Sequence, residues 1–173
     1  MKISDFFIRK FPILTMTLLI SSCGLFLKTS DVDLKNTQFT ANFSDPHWTP
    51  MEKDTADYAW ERKETGSSIV VNSYCKKYQT ATLDSLTQHL FHGVDNLKIV
   101  EQTAVKTHGR DGLDTKATGS MDGVPFVIHT RVFNRDNCTY DITLIRAHEL
   151  DKEDEQGFGE CLNSLSFNSE ANE

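Results

Sequence analysis

Apolar positions along this chain follow two periods. Tyr58-Ala-Trp60-Glu-Arg62 and Ser68-Ile-Val-Val-Asn-Ser-Tyr-Cys75 flank Glu64-Thr-Gly66-Ser67, which predicts a hairpin closed around Gly66 with Ile69, Val71, Ser73 and Cys75 on one face. The period then changes. Leu83, Leu86 and Leu90 recur at helical spacing behind Thr82, a good N-cap, with Asp84 in the first turn and Gly93 as the stop. Leu97 to Val105 returns to β-character, His108-Gly-Arg-Asp-Gly112 reads as a turn, and Leu113 to Ser120 resumes the strand. Asp122-Gly123 favours the positive φ values of a type I′ hairpin, so Val124 to Phe133 should run back against that strand. After a turn at Asn134-Arg-Asp-Asn137, Cys138, Tyr140, Ile142 and Leu144 alternate with their neighbours. A last helix is predicted from near Asp151, its apolar stripe formed by Phe158, Cys161, Leu162 and Leu165. The order hairpin, helix, meander, helix predicts an α+β fold: an antiparallel β-sheet meander with helices packed on it, rather than a doubly wound parallel sheet.

The N-terminus follows a different pattern. Lys2, Arg9 and Lys10 precede a short apolar core from Phe11 to Ile20, and Ser21-Ser22 stand before Cys23. A membrane span needs about 20 apolar residues, and this core has about half, as a secretory signal does. Ile20-Ser21-Ser22-Cys23 resembles the lipobox of bacterial lipoproteins. That resemblance implies removal of a signal peptide, residues 1–22, and lipidation of Cys23 as the mature N-terminus. Gly24 stands where an inner-membrane retention signal usually has Asp, which by the same resemblance favours the outer membrane, facing the periplasm. Residues 23–38 lack a sustained period and read as the lipidated N-terminus and tether, 39–167 as a single α+β domain, and 168–173 as a polar tail.

Charge narrows the partners. The 173 residues carry 18 basic and 25 acidic side chains. Cleavage after residue 22 removes Lys2, Arg9, Lys10 and Asp5, leaving 15 basic against 24 acidic, a net charge of −9 over 151 residues. Nucleic-acid binding depends on phosphate neutralisation by Lys and Arg, so no nucleic acid is expected. Attraction to anionic lipid by charge is equally poor, which leaves the lipid on Cys23 as the membrane contact.

Setting Cys23 aside leaves Cys75, Cys138 and Cys161, an odd number in an oxidising compartment. Cys161 falls within the helical stripe, where it serves as a small hydrophobe, whereas Cys75 and Cys138 each end a predicted strand. A Cys75–Cys138 disulfide is therefore expected, with Cys75–Cys161 and Cys138–Cys161 as the other pairings. The closed loop of 64 residues, counted from 75 to 138, is worth about 4 kcal/mol by chain entropy. No Cys-x-x-Cys spacing suggests redox catalysis.

His89 and His92 stand three apart near a helix end, but zinc sites assemble three or four ligands and no companion cluster is apparent. His47, His108, His129 and His148 fall one to a segment. The acidic run Glu149, Asp151, Glu153, Asp154, Glu155 lacks the register of a calcium loop and reads as a solvated helix start, with a docking face for a basic partner as the minority reading. Neither a Gly-x-Ser-x-Gly elbow nor a phosphate-binding loop is present. No catalytic residue, cofactor or metal is expected.

Pro46-His-Trp48 after an opening aromatic strand, the helix from Thr82 to Gly93, the Gly109-Arg-Asp-Gly112 turn, the Met121-Asp-Gly123 hairpin and the closing Leu162-Asn-Ser-Leu-Ser-Phe167 occur in a telling order. In that order the chain resembles the PsbP/Mog-like superfamily, particularly the DcrB-like bacterial lipoproteins, from about Phe39 to Phe167. The resemblance implies an α/β/α sandwich and a non-enzymatic envelope lipoprotein that binds another envelope component or helps an assembly. The alternative is a small-ligand carrier with a pocket between the first helix and the sheet.

Overall fold

The computed structural model describes residues 39–52, 55–75 and 80–167. The signal segment, Cys23, the tether and the tail lie outside the described residues. Seven strands form one antiparallel sheet: β2 (Thr49–Pro50), β3 (Tyr58–Arg62), β4 (Ser67–Cys75), β5 (Asp95–Thr107), β6 (Arg110–Met121), β7 (Val124–Arg135) and β8 (Cys138–Ala147). Their spatial order is β2-β3-β4-β8-β7-β6-β5. Two short strands, β1 (Phe39–Ala41) and β9 (Leu165–Phe167), pair with each other, and the helices are α1 (Leu83–Leu90) and α2 (Lys152–Ser164).

The pleat decides which side chains meet. Register places Ile69, Val71 and Ser73 of β4 opposite Leu144, Ile142 and Tyr140 of β8, and these stand opposite His129, Arg131 and Phe133 of β7. That face carries the larger core, in which Tyr140, Phe133, Ile142 and Leu144 pack with Phe158, Cys161 and Leu162 of α2 and with Phe39, Phe43 and Trp48. The opposite face presents Ala117, Phe126 and Ile128 to Phe91, which follows α1. The two helices thus cover opposite faces, giving the α/β/α arrangement. Each fully buried large side chain, such as Tyr140 or Phe133, contributes about 1.5–3 kcal/mol.

Local chemistry explains the elements. The Thr82 hydroxyl accepts from the Ser85 N–H at 3.1 Å and starts α1. Asp122 and Gly123 adopt φ 51° and 80°, and the strands around them pair from Met121 to Val124 as the type I′ reading expects. Two predicted turns are tighter than their composition suggested. His108 and Gly109 alone turn between β5 and β6, with φ 48° and 76°. Gly112, expected in that turn, is in β6, where a Cβ would lie 3.3 Å from both Thr107 Oγ1 and the Val132 carbonyl. Likewise Asn134 and Arg135 belong to β7, and Asp136 and Asn137 supply the two positive φ values that a two-residue hairpin needs. Leu165 ends the helical stripe differently. It remains buried, but it is the C-cap with ψ 125° and opens β9.

Candidate functional site

Three regions concentrate the chemistry expected of a site. The first is the start of α2. Asp151 and Asp154 cap each other, the Asp154 N–H donating to Asp151 Oδ1 at 2.8 Å and the Asp151 N–H to Asp154 Oδ2 at 3.2 Å. Arg62 of β3 and Arg146 of β8 each reach both carboxylates through Nη1, at 2.7 to 3.2 Å. Asp154 is fully buried. Burial opposes ionisation of Asp151, but the Asp154 N–H and the two guanidinium groups outweigh it and hold its carboxyl below the ordinary range. The expectation of a solvated acidic run holds at Glu149 and Glu153, which are exposed, and is corrected at Asp154, which is locked between two arginines that β3 and β8 bring to the helix start.

The second region lies farther along α2. His129 of β7 places Nδ1 2.7 Å from Glu155 Oε2 and Nε2 2.7 Å from Asp114 Oδ1. Lys116 meets Glu155 at 2.8 Å, and Arg131 donates to Asp114 through Nε and Nη2. Burial works against the Asp114 carboxylate, yet its hydrogen bonds to His129 and Arg131 hold it below the ordinary range. Both ring nitrogens of His129 are committed to carboxylates and its ring lies 4.3 Å from that of Phe158. Neither nitrogen is left to activate a hydroxyl or thiol. The chemistry of this cluster is that of a clamp fastening α2 to the sheet. His129 stood alone in the sequence because its partners lie 15 and 26 residues away.

The third region is the outer edge at β5. It is the last strand of the sheet, and all ten residues from Asp95 to Ala104 are exposed. Leu97, Ile99 and Val100 are 40%, 43% and 60% exposed, and the paired hairpin residues Met121 and Val124 are 49% and 56% exposed. Register shifts between Asp95 and Lys98 and between Ile99 and Glu101 mark bulges, after which Glu101 to Thr107 pairs regularly with β6. At Gly119 a Cβ would stand 2.3 Å from Val94 Cγ1, so the bare glycine lets the start of β5 close onto β6. As an edge strand, β5 turns backbone N–H and C=O groups outward, with no strand among the described residues to receive them.

The remaining candidates are structural. Cys75 and Cys138 are register partners and form a disulfide, with Cα atoms 3.9 Å apart. Cys161 is free, fully buried, and its thiol is pushed up to about 12 by burial, which makes it inert. His89 and His92 are both exposed, His89 at the rim of the space between α1 and the sheet. His108 Nε2 lies 2.9 Å from the Leu162 carbonyl, so that side chain anchors the end of α2. Among the described residues no group of three or more His, Cys, Asp or Glu is arranged to hold a metal ion, and no helix is long and apolar enough to cross a membrane. The carrier alternative is corrected by volume. The cavity between α1 and the sheet, lined by Tyr74, Leu86, His89, Leu90, Val132, Thr139 and Asp141, holds about 20 Å³, room for one water and far below a ligand pocket.

No family model matches this chain, and no curated protein matches it by sequence. Solved structures do. Cyanobacterial PsbP from Synechocystis aligns with a TM-score of 0.52 at 10% identity, over 76% of this chain and 92% of that one. The fold is PsbP-like. LpqN of Mycobacterium tuberculosis, described as involved in cell envelope biogenesis, aligns with a TM-score of 0.55 at 7% identity, over 74% of this chain and 82% of LpqN. A Bacteroides thetaiotaomicron protein aligns with a TM-score of 0.53 at 13% identity, over 77% of this chain but only 46% of that one. At these identities the PsbP-like fold is what is shared.

Proposed function

We propose that this chain is a non-enzymatic envelope lipoprotein, anchored through lipid on Cys23 at the outer membrane and facing the periplasm, whose PsbP-like domain docks another envelope component or helps an assembly. The observation that carries the docking role is the β5 edge: ten consecutive exposed residues, with apolar side chains at Leu97, Ile99 and Val100 and no strand beyond among the described residues. Edge strands are ordinarily short or covered, because unpaired backbone groups invite another chain. An extended segment laid along such an edge gains main-chain hydrogen bonds, and exposed side chains give it selectivity. Two further facts favour the envelope. The Cys75–Cys138 disulfide suits an oxidising compartment, and LpqN, with a similar fold, is described as involved in cell envelope biogenesis.

The test uses the full chain in intact cells. A photo-crosslinking side chain at Val100 should capture a discrete envelope partner, while the same group at Met51, which is 39% exposed near the opposite edge, should not. Equal labelling from both positions would remove the edge from the proposal. Cys23→Ser should yield an unprocessed or soluble form; unchanged membrane attachment would remove the lipid anchor.

A further inference from the structure

The sign pattern along β5 points to what covers it. Its charged residues are Asp95, Lys98, Glu101 and Lys106, an alternation of acid and base within a chain that is acidic overall. An alternating strand is complementary to itself when reversed. Resting on the docking role proposed above, we infer that the partner at the β5 edge is a second copy of this chain, with the two β5 strands antiparallel about a two-fold axis between Ile99 and Val100.

Three observations select that arrangement. With the axis there, residue numbers of directly opposed positions sum to 199, so Lys98 faces Glu101 of the second copy and Glu101 faces its Lys98. Ile99 and Val100 oppose one another in the same way, putting exposed apolar side chains together at the centre. Moving the axis onto Val100 removes both ion pairs, and moving it onto Glu101 sets that carboxylate against itself. The overlap is the second observation. A second register shift lies between Asp95 and Lys98, with Asn96 at φ 53°, so the paired stretch runs from Leu97 to Gln102, all exposed, and half-buried Val105 and buried Thr107 stay outside it.

The third observation concerns closure. At the other side of the sheet Thr49–Pro50 pairs with Glu61 and Trp60, and the Met51 N–H donates to the Ala59 carbonyl at 2.9 Å, covering the outer side of β3. One long open edge among the described residues means that strand pairing stops at two copies rather than running on into a fibre. The bulge at Val100 falls on the axis, so both strands bend at the same point. A flat strand from an unrelated sheet would not follow that bend.

The experiment places a photo-crosslinking side chain at Val100 of the full chain in intact cells and reads the mass of the product. The expected product is a homodimer. Lys98→Glu alone, or Glu101→Lys alone, should cut its yield about tenfold, since each turns two attractive pairs into two repulsive ones. The double variant should restore it. Both side chains are exposed, so folding is not at stake. A homodimer indifferent to the single reversals, or not restored by the double one, overturns the pairing. Capture only of a different envelope protein overturns the second copy but leaves the docking edge standing. Labelling at Val100 no different from that at Met51 overturns both.

Discussion

At one edge of the sheet β2 contributes two residues, one of them Pro50, over a strand whose Trp60 is 5% exposed. At the other edge β5 runs thirteen residues, the first ten exposed. The closed side carries the covalent fastening and one of the two ionic clamps: the Cys75–Cys138 bridge joins β4 to β8, and Arg62 and Arg146 reach from β3 and β8 to the head of α2. Among the described residues the open side has neither a disulfide nor a helix over β5, since α1 lies against β6 and β7. The difference teaches where the stability of the domain resides. Fastening one side lets the other keep its backbone groups unpaired without the domain depending on them.

The largest expected effect comes from breaking the bridge. Replacing Cys75 and Cys138 together by Ser should lower unfolding free energy by about 2–4 kcal/mol, measured by urea unfolding of the oxidised wild type against the variant. Next comes Asp154→Ala, which leaves two arginines facing a site with half its negative charge removed. A loss of about 3 kcal/mol is expected, at the lower end for a broken buried pair because the guanidinium groups keep 14% and 20% exposure. Gly157→Ala follows: its Cβ would stand 2.3 Å from Trp48 Nε1, and forcing the indole aside should cost about 1–3 kcal/mol. If substitutions along β5 matched these losses, the contrast between the two sides would fail.

How far this contrast shows in the sequence depends on range. Hairpins were legible because Asp122-Gly123 and Gly66 carry their turn chemistry locally, and the helix from Thr82 because its cap and stripe are adjacent. The disulfide was legible by weighing three cysteines. The clamps were not: Arg62 and Asp154 are 92 residues apart, and neither carries a local mark that predicts the other. Strands of three residues such as β1 and β9 are too short to show a period. The character of β5 was half legible. Its residues read as a strand, but apolar Leu97 and Ile99 would suit a covered strand equally well, and only the placement of the helices leaves them bare.

Acid should test the ionic fastening as well. Asp151 at the head of α2 and Asp114 on β6, which pairs with Thr103 of β5, are both held below the ordinary aspartate value of 3.8 in the folded protein. A depressed carboxylate contributes stability that is fully present above its unfolded value and lost as pH falls through the folded one. Urea midpoints should therefore hold steady at mildly acidic pH and drop below about 3.8. Asp114→Asn should be less stable near neutrality and show a shallower acid limb. An acid limb of unchanged slope would mean that the carboxylate gains nothing from His129 and Arg131.

The smallest expected effect on stability belongs to the open edge, and its smallness is the point. Val100 is 60% exposed on a strand with no neighbour beyond it among the described residues, so Val100→Lys removes little buried area and adds a charge that solvent can reach. Surface changes of this kind stay within about 0.5 kcal/mol, and the urea midpoint should not move. Recognition should respond in the opposite sense, because an added lysine is one of the ways proteins blunt an edge against another strand. A photo-crosslinking side chain at exposed Thr103 reports on the same stretch without touching Val100. Capture from that position should fall sharply in the Lys variant while unfolding is unchanged. A loss of stability of about 1 kcal/mol or more would instead show Val100 to be packed, and undiminished capture would place the contact elsewhere than the β5 edge.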